Sequence, residues 1–188
     1  MTQRPEPGSG RLNDGRIGML RTIMIFPHFD NMEIINIIRE KYDPLARLVK
    51  PHITLVFPFE SEMTNAELED VLDNCLKSIK PFPIVLQGFS KEEDKFGNYL
   101  FLDMKKGSDV VGAIHNKLYA EWFKAYDLGL PYVPHITVGK FERMQECNTA
   151  FEDVKDIDNR FETIVDKVSV EMIGEKEESI IVIEKELK

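Results

Sequence analysis

The chain has 188 residues, 43% hydrophobic and 30% charged, a balance that suits one globular domain or two small packed lobes. No run approaches the ~20 apolar residues of a membrane span, and the two cysteines, Cys75 and Cys147, form no CxxC pair and fit a reducing, cytoplasmic setting. The net charge is −9, with 7 basic and 14 acidic side chains crowded into residues 142–188; that excludes a protein built to grip long duplexes and leaves room for a small phosphorylated ligand or one RNA end.

Residues 1–18 are polar and rich in Gly and Pro, without the apolar h-region of a secretory signal. They are expected to form a disordered leader, with a single bilobal domain over residues 19–188. "LRTIMIFP", 20–27, is β-branched and apolar and predicts a strand. Residues 30–42 follow with Asp30 or Asn31 as a cap and Ile34, Ile37, Ile38 and Tyr42 at helical spacing. "HITLVF", 52–57, predicts a short strand between Pro51 and Pro58. A helix over 64–80 opens on a Thr64–Glu67 capping box and carries Leu68, Val71, Leu72, Cys75, Leu76 and Ile79 on one face. Strands over 82–91 and 99–104 form a hairpin around the turn 92–98.

The pattern then starts again. Residues 108–126 predict an amphipathic helix, 135–141 a strand entered through Pro131 and Pro134, and 145–158 a helix with few apolar residues. Residues 161–174 and 179–187 predict a final hairpin. The order is β-α-β-α-β, again β-α-β-α-β, then one more strand, with repeats over about 20–91 and 99–174 and the last strand at 179–187. Two copies of one topology predict a pseudo-two-fold α+β fold, bilobal, with antiparallel sheets lining a central cleft; a solenoid needs three or more short repeats.

The word PHIT occurs at the same place in both copies, at 51–54 and at 134–137. Simple alternation puts His52, Thr54 and Val56 on one face and Ile53, Leu55 and Phe57 on the other. It likewise puts His135, Thr137 and Gly139 opposite Ile136, Val138 and Lys140. The proline before each histidine sets the strand entry and holds Lys50 or Val133 extended. Two imidazoles and two hydroxyls meeting across a groove suit phosphodiester displacement. One imidazole takes a proton from the nucleophile, the other gives one to the leaving oxygen, and the hydroxyls hold the non-bridging oxygens. The scheme calls for no metal and no cofactor.

Two HxT words, "PHITLVFPF" and "PHITVGKF", each opening a strand in a β-α lobe, resemble the 2H phosphoesterase superfamily, and most closely its bacterial 2′-5′ RNA ligase-like branch. The resemblance spans roughly residues 20–187. It implies a bilobal fold with a central cleft, hydrolysis of 2′,3′-cyclic phosphates or related phosphodiesters, and in some members reversible 2′-5′ ligation. Carried over by motif, His52 and His135 are the catalytic pair and Thr54 and Thr137 the phosphate-binding pair. Many RNA-acting relatives have a basic residue shortly after the second motif; Lys140 stands in that neighbourhood, on the far face by alternation unless the strand bulges at Gly139. Tyr132 is a second candidate for substrate contact, by stacking on a base, with core packing as its default.

Other readings stand beside these. Either Pro-His alone is an ordinary structural strand opening. His28 is expected to be a loop histidine and His115 a half-buried packing histidine. The same cleft would also serve a non-catalytic module that binds or senses a nucleotide, or, with bound metal, a phosphatase. The near-symmetric words do not distinguish acid from base, nor hydrolase from ligase. The expected partner is a small nucleotide or an RNA terminus, with no membrane and no long duplex, and a monomer suffices.

Overall fold

The computed structural model describes residues 19–188; the leader expected over residues 1–18 lies outside the described residues. The elements in chain order are β1 (Met19–Ile25), α1 (Met32–Tyr42), β2 (Ile53–Ser61), α2 (Asn65–Leu76), β3 (Phe82–Asp94), β4 (Gly97–Lys106), α3 (Ser108–Leu118), β5 (His135–Phe141), α4 (Met144–Val154), β6 (Phe161–Val165), β7 (Lys167–Ile173) and β8 (Ser179–Glu186). They form two antiparallel four-stranded sheets, ordered β2-β1-β7-β8 and β5-β4-β3-β6.

The two repeats exchange strands. β3 closes the first repeat but lies in the second sheet, paired with β4 and β6. β7 follows the second repeat but lies in the first sheet, between β1 and β8. Helices cross as well: α1 packs beside β5 and α3 beside β2, while α2 lies against β8 and α4 across β3, β4 and β5. The exchange brings β2 and β5, the two PHIT strands, side by side where the lobes meet. The fold is α+β with a pseudo-two-fold, and one continuous apolar cluster runs through both halves.

Local chemistry explains most element ends. The Thr64 hydroxyl accepts from the Glu67 amide at 3.2 Å, and the Glu67 carboxylate accepts from the Thr64 amide at 2.7 Å, so α2 starts where the capping box puts it. Its Leu68, Val71, Leu72, Cys75 and Leu76 are buried. At α1 the expected cap is only half present: Asn31 is the N-cap residue but makes no side-chain cap bond. Its amide instead donates to the Arg160 carbonyl at 3.2 Å.

Three expectations need correction. The strand at 52–57 does not stop at Pro58 but runs to Ser61; β2 is an edge strand, where a missing N–H breaks no ladder bond. The helix over 108–126 is α-helical only to Leu118, then widens into a π turn (Tyr119–Phe123) and a 3-10 turn (Lys124–Tyr126). There Phe123 and Tyr126 pack on Phe59, with ring centroids 4.7 and 5.4 Å away. The strand over 161–174 is two strands, broken at Asp166, so two strands follow the repeats rather than one. Phe161 and Val165 are buried on β6, and Val168 and Val170 on β7. That change of parity shifts the apolar phase by one residue, which lets the chain change sheets.

One glycine is fixed by this packing. Gly107, the N-cap residue of α3, has φ +86, and a Cβ there would meet the Pro83 carbonyl oxygen and Ile84 Cγ2, each at 2.8 Å. Gly107→Ala is expected to lower the unfolding free energy by about 2 kcal/mol, from the left-handed backbone and the clash with main chain. Urea unfolding should show a lower midpoint at an unchanged slope.

Candidate active site

Both histidines open their strands in the same way. The His52 Nδ1–H donates to the Lys50 carbonyl at 2.8 Å, and the His135 Nδ1–H donates to the Val133 carbonyl at 2.6 Å. In each case the acceptor is the carbonyl just before the proline. A carbonyl only accepts, so Nδ1 carries the proton and Nε2 is the nitrogen left for acid–base work. Ile53 and Ile136 are 0% and 1% exposed and pin the strands to the core; burying each is worth roughly 1.5–3 kcal/mol. His52, Thr54, His135 and Thr137 are half-buried on the other face.

Beyond each threonine, simple alternation fails. In β2 the pairing steps from Met24↔Thr54 to Ile23↔Val56, leaving Leu55 as an extra residue. In β5 it steps from Phe101↔Thr137 to Leu100↔Gly139, leaving Val138 extra. The same one-residue bulge follows both motifs. As a result Leu55 and Val56 are both buried in the core, and Val56 does not share the His52 face. Gly139 pairs on the core side with Leu100, and Lys140 pairs with Tyr99. Directly paired residues of antiparallel strands share a face, so the bulge turns Lys140 onto the face of His135 and Thr137. Its ammonium lies 5.3 Å from the Tyr99 ring centroid. Position 139 is crowded: a Cβ there would lie 2.9 Å from the Phe141 ring and 3.1 Å from Tyr42 Cβ. In the first motif the residue at Lys140's offset from its histidine is Phe57.

The surroundings break the symmetry further. His135 pairs across the ladder with Asp103 and stacks on Phe101, centroids 3.5 Å apart and planes at 16°. Burial pushes its imidazolium down to about 4, against opposing pulls from the Val133 carbonyl and Asp103. Asp103 accepts from the Ser90 hydroxyl at 2.6 Å and from Lys105 at 3.2 Å. His52 meets the Phe26 ring instead, tilted and 6.0 Å away.

Each motif is also held from behind. Arg39 is 1% exposed; its guanidinium reaches Asp43 Oδ2 from Nε at 2.8 Å and from Nη2 at 2.7 Å, and donates to the Val49 carbonyl at 2.8 Å. It thereby fastens the loop that delivers Lys50-Pro51-His52. Tyr132, three residues before His135, donates its hydroxyl to the Thr54 carbonyl at 2.8 Å. That bond ties the approach to the second motif directly to the first. His115 is half-buried and donates from Nδ1 to the Leu55 carbonyl at 2.8 Å, while His28 is exposed in a loop. Cys75 and Cys147 are both buried, and burial pushes the Cys75 thiol up to about 11. Among the described residues no group of three or more His, Cys, Asp and Glu side chains is placed to hold a metal ion.

The sequence reading missed Arg39, Phe101 and Asp103. Phe101 and Asp103 look like ordinary alternating strand residues until β4 is laid beside β5. Arg39 carried a signal, a cation four residues before Asp43 in the last turn of a helix, but nothing in that spacing shows burial.

The fold and the paired HxT strands are those of a two-histidine phosphoesterase. The profile of the 2′-5′ RNA ligase superfamily matches residues 26–175, and the chain belongs to that family, within the 2H phosphoesterases. A protein of Geobacillus kaustophilus named "Putative phosphoesterase" is 30% identical over 149 residues, covering 77% of this chain and 83% of its own. A protein of Halalkalibacterium halodurans with the same style of name is 28% identical over 154 residues, covering 79% and 85%. Among solved structures, E. coli LigT complexed with 3′-AMP superposes with a TM-score of 0.58 at 16% identity, over 91% of this chain and 99% of LigT. TT0787 of Thermus thermophilus superposes at 0.57 and 16% identity, over 90% and 98%. These structures share the fold.

Arg39→Ala is expected to leave the Asp43 carboxylate and the Val49 carbonyl buried without their cation. The loss should be about 3–5 kcal/mol in urea unfolding, against under about 1 kcal/mol for removing the exposed Lys155–Glu152 pair.

Proposed function

We propose that the protein is a metal-independent phosphodiesterase that hydrolyses 2′,3′-cyclic phosphates or related nucleotide and RNA-end phosphodiesters by two-histidine acid–base catalysis, in one domain over residues 19–188. The observation that carries this reading is the duplicated construction. Two Pro-His entries have the same Nδ1–H bond and the same bulge after the threonine, on strands that lie side by side. One such histidine is an ordinary strand opening; two, matched and adjacent, supply both proton transfers of a phosphodiester displacement. Membership of the 2H family supports the same chemistry.

His135 suits the base, because its stacked, poorly hydrated ring is held neutral. Its Nε2 takes a proton from water, and the oxygen attacks phosphorus in line. The bond from phosphorus to the leaving ribose oxygen breaks, and protonated His52 gives its Nε2 proton to that oxygen. Thr54 and Thr137 donate to the non-bridging oxygens, and Lys140 offsets their charge. With a ribose 5′-hydroxyl in place of water, the same displacement on a 2′,3′-cyclic end breaks the bond from phosphorus to the 3′ oxygen and forms a 2′-5′ link, and its reverse cleaves that link. LigT has been crystallised with 3′-AMP and with ATP, which supports a small nucleotide or RNA terminus as partner. Tyr132 serves this site through Thr54. A cytoplasmic monomer meets all these requirements.

His52→Ala and His135→Ala are each expected to lower kcat on a 2′,3′-cyclic nucleotide by about 10²–10⁴-fold, with EDTA leaving the wild-type rate unchanged. The base must be neutral, so the acid limb of kcat/KM should fall below the free-histidine value of about 6.5, towards about 4. Phe101→Ala should move that limb up in pH by restoring water to the ring. Full turnover in both histidine variants overturns the mechanism. Binding of the cyclic nucleotide without product over hours marks the sensing module instead.

A further inference from the structure

β2 is the outer strand of its sheet, so one edge has no neighbouring strand. An exposed row of main-chain donors and acceptors is usually covered or blunted. Here side chains from the other half of the molecule satisfy it. The Thr54 carbonyl accepts from the Tyr132 hydroxyl at 2.8 Å, the Leu55 carbonyl from His115 Nδ1–H at 2.8 Å, and the Phe57 amide donates to the Tyr119 hydroxyl at 3.1 Å. The three contacts fall on Thr54, on the extra residue of the bulge, and just beyond it.

The three side chains also brace one another. The His115 and Tyr132 rings lie flat together, centroids 3.5 Å apart and planes at 2°, and Tyr119 tilts against His115 at 4.7 Å. Tyr119 opens the π turn after α3, a rare distortion that often accompanies functional sites. Burial pushes the Tyr132 and Tyr119 phenols up, so both stay protonated at neutral pH and Tyr132 remains a donor. β5 is also an outer strand, with α1 beside it as α3 is beside β2. The His115–Tyr119–Tyr132 brace stands on the first motif.

We infer that Tyr132, held by its stack on His115, is a positioning residue that sets Thr54 against the second motif, so that the two threonine hydroxyls meet one phosphate. The inference rests on the reading of the cleft as a phosphate site. Tyr132 works at one remove. Its hydroxyl is spent on the Thr54 main chain and one ring face is covered by His115. Because Pro134 and His135 follow within three residues, the same side chain couples the spacing of both motifs. A geometric error at a phosphate-binding hydroxyl costs affinity and rate without unfolding the strand.

The test is a double-mutant cycle read by binding of inorganic phosphate, followed by the methyl resonances of Thr54 and Thr137, with turnover of a 2′,3′-cyclic nucleotide alongside. Tyr132→Phe keeps the ring and removes only the hydroxyl. It is expected to weaken phosphate binding about fivefold, near one neutral hydrogen bond, with the urea midpoint little changed. In a Thr54→Val background the same substitution should have no further effect, while in a Thr137→Val background its loss should persist. His115→Ala should reproduce the loss by freeing the Tyr132 ring; if that variant folds poorly, the Tyr132→Phe cycle decides alone. Wild-type affinity in Tyr132→Phe, or equal added loss in the Thr54→Val background, overturns the inference. Wild-type protein that binds phosphate but turns nothing over defeats the catalytic reading and leaves the brace standing. Wild-type protein that binds no phosphate defeats both.

Discussion

Each imidazole is fixed by a hydrogen bond that its own strand entry supplies. A proline has no N–H and holds the residue before it extended, which turns that residue's carbonyl towards the histidine two places on. Lys50 and Val133 thus accept from Nδ1 of His52 and His135. The tautomer, the ring direction and which ring nitrogen is left over follow from three consecutive residues. No distant carboxylate is needed to orient the ring, so the device can be copied whole into both repeats.

The copies differ in what surrounds them. Opposite His135 stand Phe101 and Asp103, and opposite the first motif stand Met24 and Phe26. At the same offset beyond the bulge stand Lys140 and Phe57. Lys140 and Asp103 flank the stacked imidazole of the second motif, whereas Met24, Phe26 and Phe57 surround the first. Arg39 and Tyr132 hold the two halves by different means, one a buried ion pair behind the first motif, the other a hydrogen bond across to it.

Much of this was legible in the sequence, where periodicity and punctuation agreed. The capping box of α2, the β3–β4 hairpin and β5 between Pro134 and Phe141 all have local causes, although the hairpin turn is Lys95-Phe96 and not 92–98, because β3 runs to Asp94 and β4 starts at Gly97. The repeat of topology predicted the pseudo-two-fold, and the word PHIT located the paired histidines. What escaped was set by partners far away in the chain. The exchange of β3 and β7 between sheets is a pairing choice that no single strand records, although the shift of buried positions from Phe161 and Val165 to Val168 and Val170 did mark the break at Asp166. The bulges show in the paired strands, where Leu55-Val56 and Val138-Gly139 are consecutive buried positions that strict alternation does not explain. Strict alternation puts Val56 on the wrong face, and the bulge that turns Lys140 falls at Val138, one residue before the expected Gly139. The π turn answers to the edge of β2, which lies 62 residues away from Tyr119.

The most direct measurement is a crystal structure of the protein with a nucleoside vanadate, which mimics the five-coordinate phosphorus of the displacement. The two-histidine mechanism predicts vanadium between the PHIT strands, with Nε2 of His135 and of His52 each within about 2.6–3.2 Å of an opposite apical oxygen, and with both threonine hydroxyls on equatorial oxygens. Vanadate held by one motif alone, or bound away from both imidazoles, would contradict it.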